Sequence, residues 1–267
     1  MSVPGTSAAE LAGQLAVVTG GAGGIGAAIV RALAAQGADV AIVDVATLAT
    51  DESDAASNAR PRIRAWRCDV TQPAEIIAVC DAIEAALGAP TILVNNVGGS
   101  GTVAVADIEH VTDDVWEHIL SFNLGAMMRF SRRFVPAMKA RRAGRIVNIT
   151  SSLKDGVFGG AATVGARLPY VTAKSGIVGF TKQLANDLGP YGITVNAVAP
   201  GFTLPDPDAR ITKRYQALPP EQQRELTGNI PLGRPGEGQD IANAVRFLVS
   251  PSSGYVTGEV LTVSGGA

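Results

Sequence analysis

The stretch Thr19-Gly20-Gly21-Ala22-Gly23-Gly24-Ile25-Gly26 constrains this chain more than any other. It follows Leu15-Ala16-Val17-Val18, a short apolar run that reads as a buried strand. It precedes Ile25, Ile29 and Leu33, which recur every four residues among alanines and form one buried face of a helix. The glycines therefore sit where a strand turns into a helix. Glycine there lets the backbone turn tightly and come close to a phosphate. The helix start adds free N–H groups and a positive dipole end. A glycine-rich turn with no ligand is the other reading, and the remainder of the chain decides between them.

The remainder narrows the class by exclusion. At 267 residues the chain can bury a large core without disulfides or metal. Cys68 and Cys80 lack metal-ligand spacing and read as reduced packing residues. His110 and His118 have no cysteine or carboxylate pattern beside them, so no metal site is expected. A net charge of −2 argues against a nucleic-acid surface. Met1 to Gly13 has neither the charged start nor the apolar core of a signal peptide, and no run is long enough to span a membrane. The expectation is a cytoplasmic enzyme with a small-molecule substrate, no nucleic-acid partner and no membrane.

Strands and helices alternate along the chain. Strands are expected at Asp39–Asp44, Arg62–Cys68, Thr91–Val94, Arg145–Ser151, Gly192–Gly201 and Glu259–Val263. Helices are expected at Pro73–Leu87, Thr112–Lys139, Tyr170–Leu188 and Ile241–Leu248, with a short or mobile helix in Ala46–Arg60. Arg141-Arg142 reads as a solvated helix cap. This alternation predicts an α/β fold: one doubly wound Rossmann domain over residues 1–267, a seven-stranded parallel sheet with helices on both faces. In such a sheet ligands sit outside the carboxyl ends of the strands. The Gly20 loop, Asp44, Asp69, Asn96 and Ser151 all fall at such ends.

Asp44 lies 18 residues after Gly26, where an acid accepts hydrogen bonds from an adenosine ribose. A 2′-phosphate would meet like charge there, and Ala22 and Gly23 supply no cation to balance it. This favours NAD over NADP; an Asp that only caps a strand-end turn is the alternative. Tyr170 and Lys174 are spaced to share one helical face, so a phenol and an ammonium project together. A neighbouring cation lowers a phenol's pKa from near 10 and makes proton transfer near neutral pH accessible.

The order Thr-Gly-x-x-x-Gly-Ile-Gly, then Asn95-Asn96-Val97-Gly98, then Ser151, then Tyr170-x-x-x-Lys174 resembles the classical branch of the short-chain dehydrogenase/reductase family. The likeness covers about Gly13 to Gly266. It implies that Gly20, Gly24, Ile25 and Gly26 cradle a nicotinamide dinucleotide, with Asp69 and Val70 at the adenine and Asn96 and Gly98 at the ribose. It implies Tyr170 as general acid/base and Lys174 as the group that lowers its pKa and binds the nicotinamide ribose. Ser151 positions the substrate oxygen, with Ser152 the runner-up, and Asn123 holds a relay water unless it merely bends its helix. Pro200, Gly201 and Thr203 meet the nicotinamide.

Four places depart from the family pattern. Val97 replaces a usual alanine, Pro205 a usual threonine and Ser264 a usual aspartate. The step from Ser151 to Tyr170 is 19 residues, longer than usual. The extra residues in Lys154–Leu168 read as a specificity loop or a bland insertion, and Phe202–Pro231 as a substrate lid holding a short helix near Glu221–Leu226. The resemblance implies a homotetramer, or a homodimer, through the helices at Thr112–Lys139 and Tyr170–Leu188. The function expected is NAD-dependent interconversion of a secondary alcohol and a ketone. The alternatives are an NADPH-dependent carbonyl reductase, a non-catalytic NAD(H) sensor, and a lyase or epimerase using bound NAD, which would need a larger C-terminal domain.

Overall fold

The computed structural model describes residues 9–47, 61–101, 105, 107–156 and 167–267. Seven strands form one parallel sheet: β1 (Leu15–Thr19), β2 (Asp39–Asp44), β3 (Ile63–Arg67), β4 (Ile92–Asn95), β5 (Gly144–Ile149), β6 (Ile193–Pro200) and, last in the chain, Val260–Val263. Their order is β3-β2-β1-β4-β5-β6 and then Val260–Val263. The chain reverses its direction of travel across the sheet between β1 and β4, which opens the crevice where such sheets bind ligands. Strands β1, β2 and β4 are almost wholly buried, as continuous apolar runs covered on both faces must be.

Helices cover both faces. On one side α1 (Gly24–Ala35) and the C-terminal Gly238–Val249 helix bury Ile29, Leu33, Ile241, Val245 and Leu248 against the sheet. On the other, α2 (Pro73–Leu87), α3 (Asp113–Leu120), α4 (Ala126–Arg141) and α5 (Arg167–Leu188) follow in chain order. Here Ile76, Cys80, Phe130, Phe134 and Met138 form the second core. A polar ladder crosses that side: Asn95 Nδ2 donates to Asn148 Oδ1 at 2.9 Å, and Asn148 Nδ2 donates to the Thr181 hydroxyl at 2.9 Å. This pairing ties β4, β5 and α5 together, although among the described residues Asn95 Oδ1 itself is buried without a partner.

Two local expectations change. The helix expected over Thr112–Lys139 is not continuous: a π-helical turn at Ser121–Gly125 separates α3 from α4. The lid carries two helices, α6 (Arg210–Gln216) and α7 (Pro220–Gly228), where one was expected. Arg141-Arg142 does end α4 as an exposed cap, Arg142 being the C-cap residue, and the Arg141 guanidinium also donates to the carbonyls of Ala89 and Pro90. The segment Ala46–Arg60 and the insertion Lys154–Leu168 fall largely outside the described residues. Among the described residues no helix is long and apolar enough to cross a membrane, and no cluster of His, Cys, Asp or Glu could hold a metal.

Candidate active site

The glycine loop forms as its sequence requires. Gly20 and Gly24 have φ of +66° and +59°, which a side chain would strain. A Cβ at Gly26 would lie 1.8 Å from the Gly20 carbonyl oxygen, so the first turn of α1 presses directly on the loop. The crevice at the chain reversal is stitched across: Asn96 Nδ2 donates to the carbonyls of Thr19 and Gly20, each at 3.0 Å. The Thr19 hydroxyl accepts from the N–H groups of Asn96 and Val97. One cleft is lined by Gly20, Asp44, Asp69, Val70, Asn96, Val97 and Gly98, so six positions chosen from the sequence share a single surface.

Acids bound this cleft. The Asp44 carboxylate accepts from the Ala22 N–H and the Ala46 N–H, each at 3.0 Å. It thus lies against the glycine loop as well as at the end of β2. Asp69 Oδ1 accepts from the Thr71 N–H and hydroxyl, and these bonds hold its pKa below the usual carboxylate value. A backbone cradle crowded at Gly20 and Gly26 and opening toward an acid fits the phosphates and ribose of a dinucleotide.

Deeper in, the side chains expected to carry chemistry converge. Ser151 is buried at the end of β5, its Oγ accepting from the Leu153 N–H, and it also hydrogen-bonds the Tyr170 phenol. Lys174 is 3% exposed and its Nζ donates to the Ile149 carbonyl at 3.0 Å. That Nζ lies 5.6 Å from the centroid of the Tyr170 ring. Burial lowers the Lys174 pKa to about 8. The phenol departs from expectation: burial raises the Tyr170 pKa, opposed only by the Ser151 hydrogen bond. The ammonium bonds a backbone carbonyl rather than the phenol, so desolvation prevails in the ligand-free chain.

Asn123 sits inside the π-helical turn and is 1% exposed. Its Nδ2 donates to the Gly99 and Ile119 carbonyls and its Oδ1 accepts from the Gly99 N–H, all at 2.9 Å. Both amide hydrogens and one lone pair of Oδ1 are therefore engaged with protein. Gly98 fits between: a Cβ there would meet Asn123 Oδ1 at 2.5 Å and Lys174 Nζ at 2.8 Å. Ile25 is half-buried in the first turn of α1. Pro200 ends β6, the Gly201 N–H donates to the Val263 carbonyl, and the Thr203 hydroxyl donates to the Gly201 carbonyl. Ser152 begins a short 3₁₀ turn. Sequence reasoning overlooked Thr19, Gly99 and Asp206; a Thr immediately before the loop was a visible signal for the first only.

This fold and site define a Rossmann-type oxidoreductase with a nicotinamide cofactor. The chain belongs to the short-chain dehydrogenase/reductase family, and the family model described as Enoyl-(Acyl carrier protein) reductase matches residues 20–267. It is 37% identical over 254 residues to the 3-oxoacyl-[acyl-carrier-protein] reductase FabG of Escherichia coli (strain K12), covering 95% of this chain and 97% of that protein. FabG of Vibrio harveyi is 38% identical over 260 residues, covering 96% and 98%. Nodulation protein G of Rhizobium meliloti (strain 1021) is 36% identical over 262 residues, again covering 96% and 98%.

Proposed function

We propose that this chain is an NAD-dependent oxidoreductase that interconverts a ketone and a secondary alcohol, with Tyr170 as general acid/base. The observation that carries the reading is the Ser151–Tyr170 hydrogen bond beside a buried Lys174, at the edge of a cleft ended by Asp44. Bound in that cleft, the nicotinamide would supply or accept the hydride. The chain's own residues do the rest. Ser151 orients the substrate oxygen, and the Tyr170 phenol gives that oxygen a proton or takes one from it. Lys174, still mostly protonated at neutral pH with its pKa of about 8, exchanges its bond to Ile149 for the ribose and brings positive charge to the phenol. Asn123 holds the bend that lets Gly98 and Gly99 approach both.

Asp44 supports NAD over NADP, because its carboxylate already takes the Ala22 N–H that a 2′-phosphate would need and adds like charge. The relatives' names place a ketone on an acyl chain, which agrees with a ketone substrate of apolar character. The lid at 202–231 and the loop at 154–168 would select it. The exposed apolar hollow along Leu120, Leu124, Met128 and Phe180 supports a homotetramer or homodimer through α4 and α5. Two unpaired buried cysteines support a cytoplasmic setting.

The test is absorbance of reduced cofactor with a panel of secondary alcohols and 3-oxoacyl thioesters, NAD(H) and NADP(H) in parallel. Turnover with NAD(H) that falls about 100-fold or more in Tyr170→Phe is expected. Preference for NADP(H) would refute the Asp44 argument, and undiminished turnover in the variant would refute the role of Tyr170.

A further inference from the structure

Helix α1 has no cap of its own. Gly23 at its N-terminus offers no side chain, and its first turn holds no acidic residue. The charge comes instead from 182 residues away: Asp206 Oδ2 accepts from the Gly24 N–H at 2.7 Å. Asp206 Oδ1 accepts from the Ala209 N–H at 2.6 Å, just ahead of α6. One carboxylate thus joins the glycine loop to the first segment of the lid.

The neighbouring residue fixes that position. A Cβ on Gly24 would meet the Pro205 ring at 3.6 Å, and one on Gly238 would meet the Pro205 carbonyl at 3.1 Å. Behind them the lid is tied at both ends by β7 (Thr203–Leu204) pairing in parallel with β8 (Gly236–Glu237). Asp206 therefore stands at the helix end where the loop would receive the anionic centre of a dinucleotide. A carboxylate and a pyrophosphate compete for the same positive end, and each repels the other in its neighbourhood.

We propose that Asp206 is a latch: in the ligand-free chain it closes the start of the lid onto the glycine loop, and dinucleotide binding releases it. The inference rests on the cofactor reading above. The lid's first segment is then free of the glycine loop only when the cofactor is bound. After release Asp206 retains its bond to the Ala209 N–H, and α6 keeps its start.

The experiment is limited trypsin digestion, followed at Arg210, Lys213 and Arg214, which are exposed in α6. It compares wild type, Asp206→Asn and Asp206→Ala, each with and without NAD⁺, with affinities from calorimetry. In wild type NAD⁺ should speed cleavage at these sites. Without cofactor, Asp206→Asn and then Asp206→Ala should be cut progressively faster, and NAD⁺ should add little. Both variants should bind NAD⁺ about three- to tenfold more tightly, as expected when a charge facing a helix end is removed. Equal cleavage of the cofactor-free proteins, or unchanged or weaker affinity in both variants, overturns the latch. Failure of all three proteins to bind NAD⁺ or NADP⁺ refutes the cofactor reading itself, and the competition with it.

Discussion

Two glycines three residues apart in one loop should respond to the same added methyl in opposite ways. A Cβ at Gly26 would fall 1.8 Å from the Gly20 carbonyl oxygen and 2.8 Å from Asn96 Nδ2. The first of these is backbone, so no rotamer change relieves it. Either α1 lifts from the loop or the loop opens, and opening breaks the Asn96 bonds to Thr19 and Gly20. Overpacking of this kind costs about 1–3 kcal/mol, and a backbone clash belongs at the upper end. For a chain of this size about 3 kcal/mol lowers Tm by roughly 6–12 °C. Gly23→Ala is the control: a Cβ there meets nothing within 4 Å, and its φ of −152° suits any residue. Its Tm should stay within about 2 °C of wild type. Calorimetric or circular-dichroism melts of both variants, with NAD⁺ titrations, make the measurement. Affinity should fall about tenfold or more in Gly26→Ala, since the phosphate cradle is what moves. A Gly26→Ala protein with wild-type melting and binding would refute the close approach of α1 to the loop.

Three further outcomes follow from the same geometry. Lys174 is buried with a folded pKa of about 8 against an ordinary value near 10.4, so its charged form is disfavoured in the fold by about 3 kcal/mol. That penalty is complete below about pH 8 and is relieved as pH rises toward about 10.5; Lys174→Met should therefore melt no lower than wild type at pH 7, its advantage shrinking across that range, while turnover is lost. Asn123→Ala removes three hydrogen bonds and leaves the Gly99 N–H and carbonyl without partners; destabilisation of about 2–4 kcal/mol is expected in urea titrations, with straightening of the π-helical turn visible in a structure. Asp44→Ala should weaken NAD⁺ about tenfold to a hundredfold in calorimetry and narrow its margin over NADP⁺, because hydrogen bonds to a charged group carry about 1.5–3 kcal/mol.

What the sequence made legible is what local pattern and sheet chemistry dictate. The apolar runs of β1, β2 and β4 have no other stable use than the interior of a parallel sheet. Once the strands are parallel, their carboxyl ends share one edge, so Gly20, Asp44, Asp69 and Asn96 had to meet. Strand β3 was expected one residue longer at each end, a change at a half-exposed edge where pairing alone sets the limit. The π-helical turn was not legible, because the periodicity of Val115, Ile119, Phe122 and Met127 reads through it. Only the bonds of Asn123 to a loop 24 residues earlier show why the helix must widen there. The phenol was misread for a related reason. Tyr170 and Lys174 do share a face, but burial and the Ile149 carbonyl, which no spacing reveals, govern both groups.

Asp206 marks the outer limit of such reading. Its neighbours Pro205 and Pro207 suggested an irregular lid, and nothing local distinguishes a lid carboxylate facing water from one facing a helix end. The difference is made by α1, which is alanine-rich, uncapped and without an acid in its first turn. A helix so built has its positive end open by composition, as an anion site requires. Left wholly open, its partly exposed first N–H groups would have no protein partner. A carboxylate on a movable segment satisfies both demands: it bonds the Gly24 N–H when no phosphate is present and can withdraw when one arrives. The same reasoning explains why the lid is tied at β7 and β8 yet carries Asp206 just beyond that tie. The pairing brings the carboxylate back to one place.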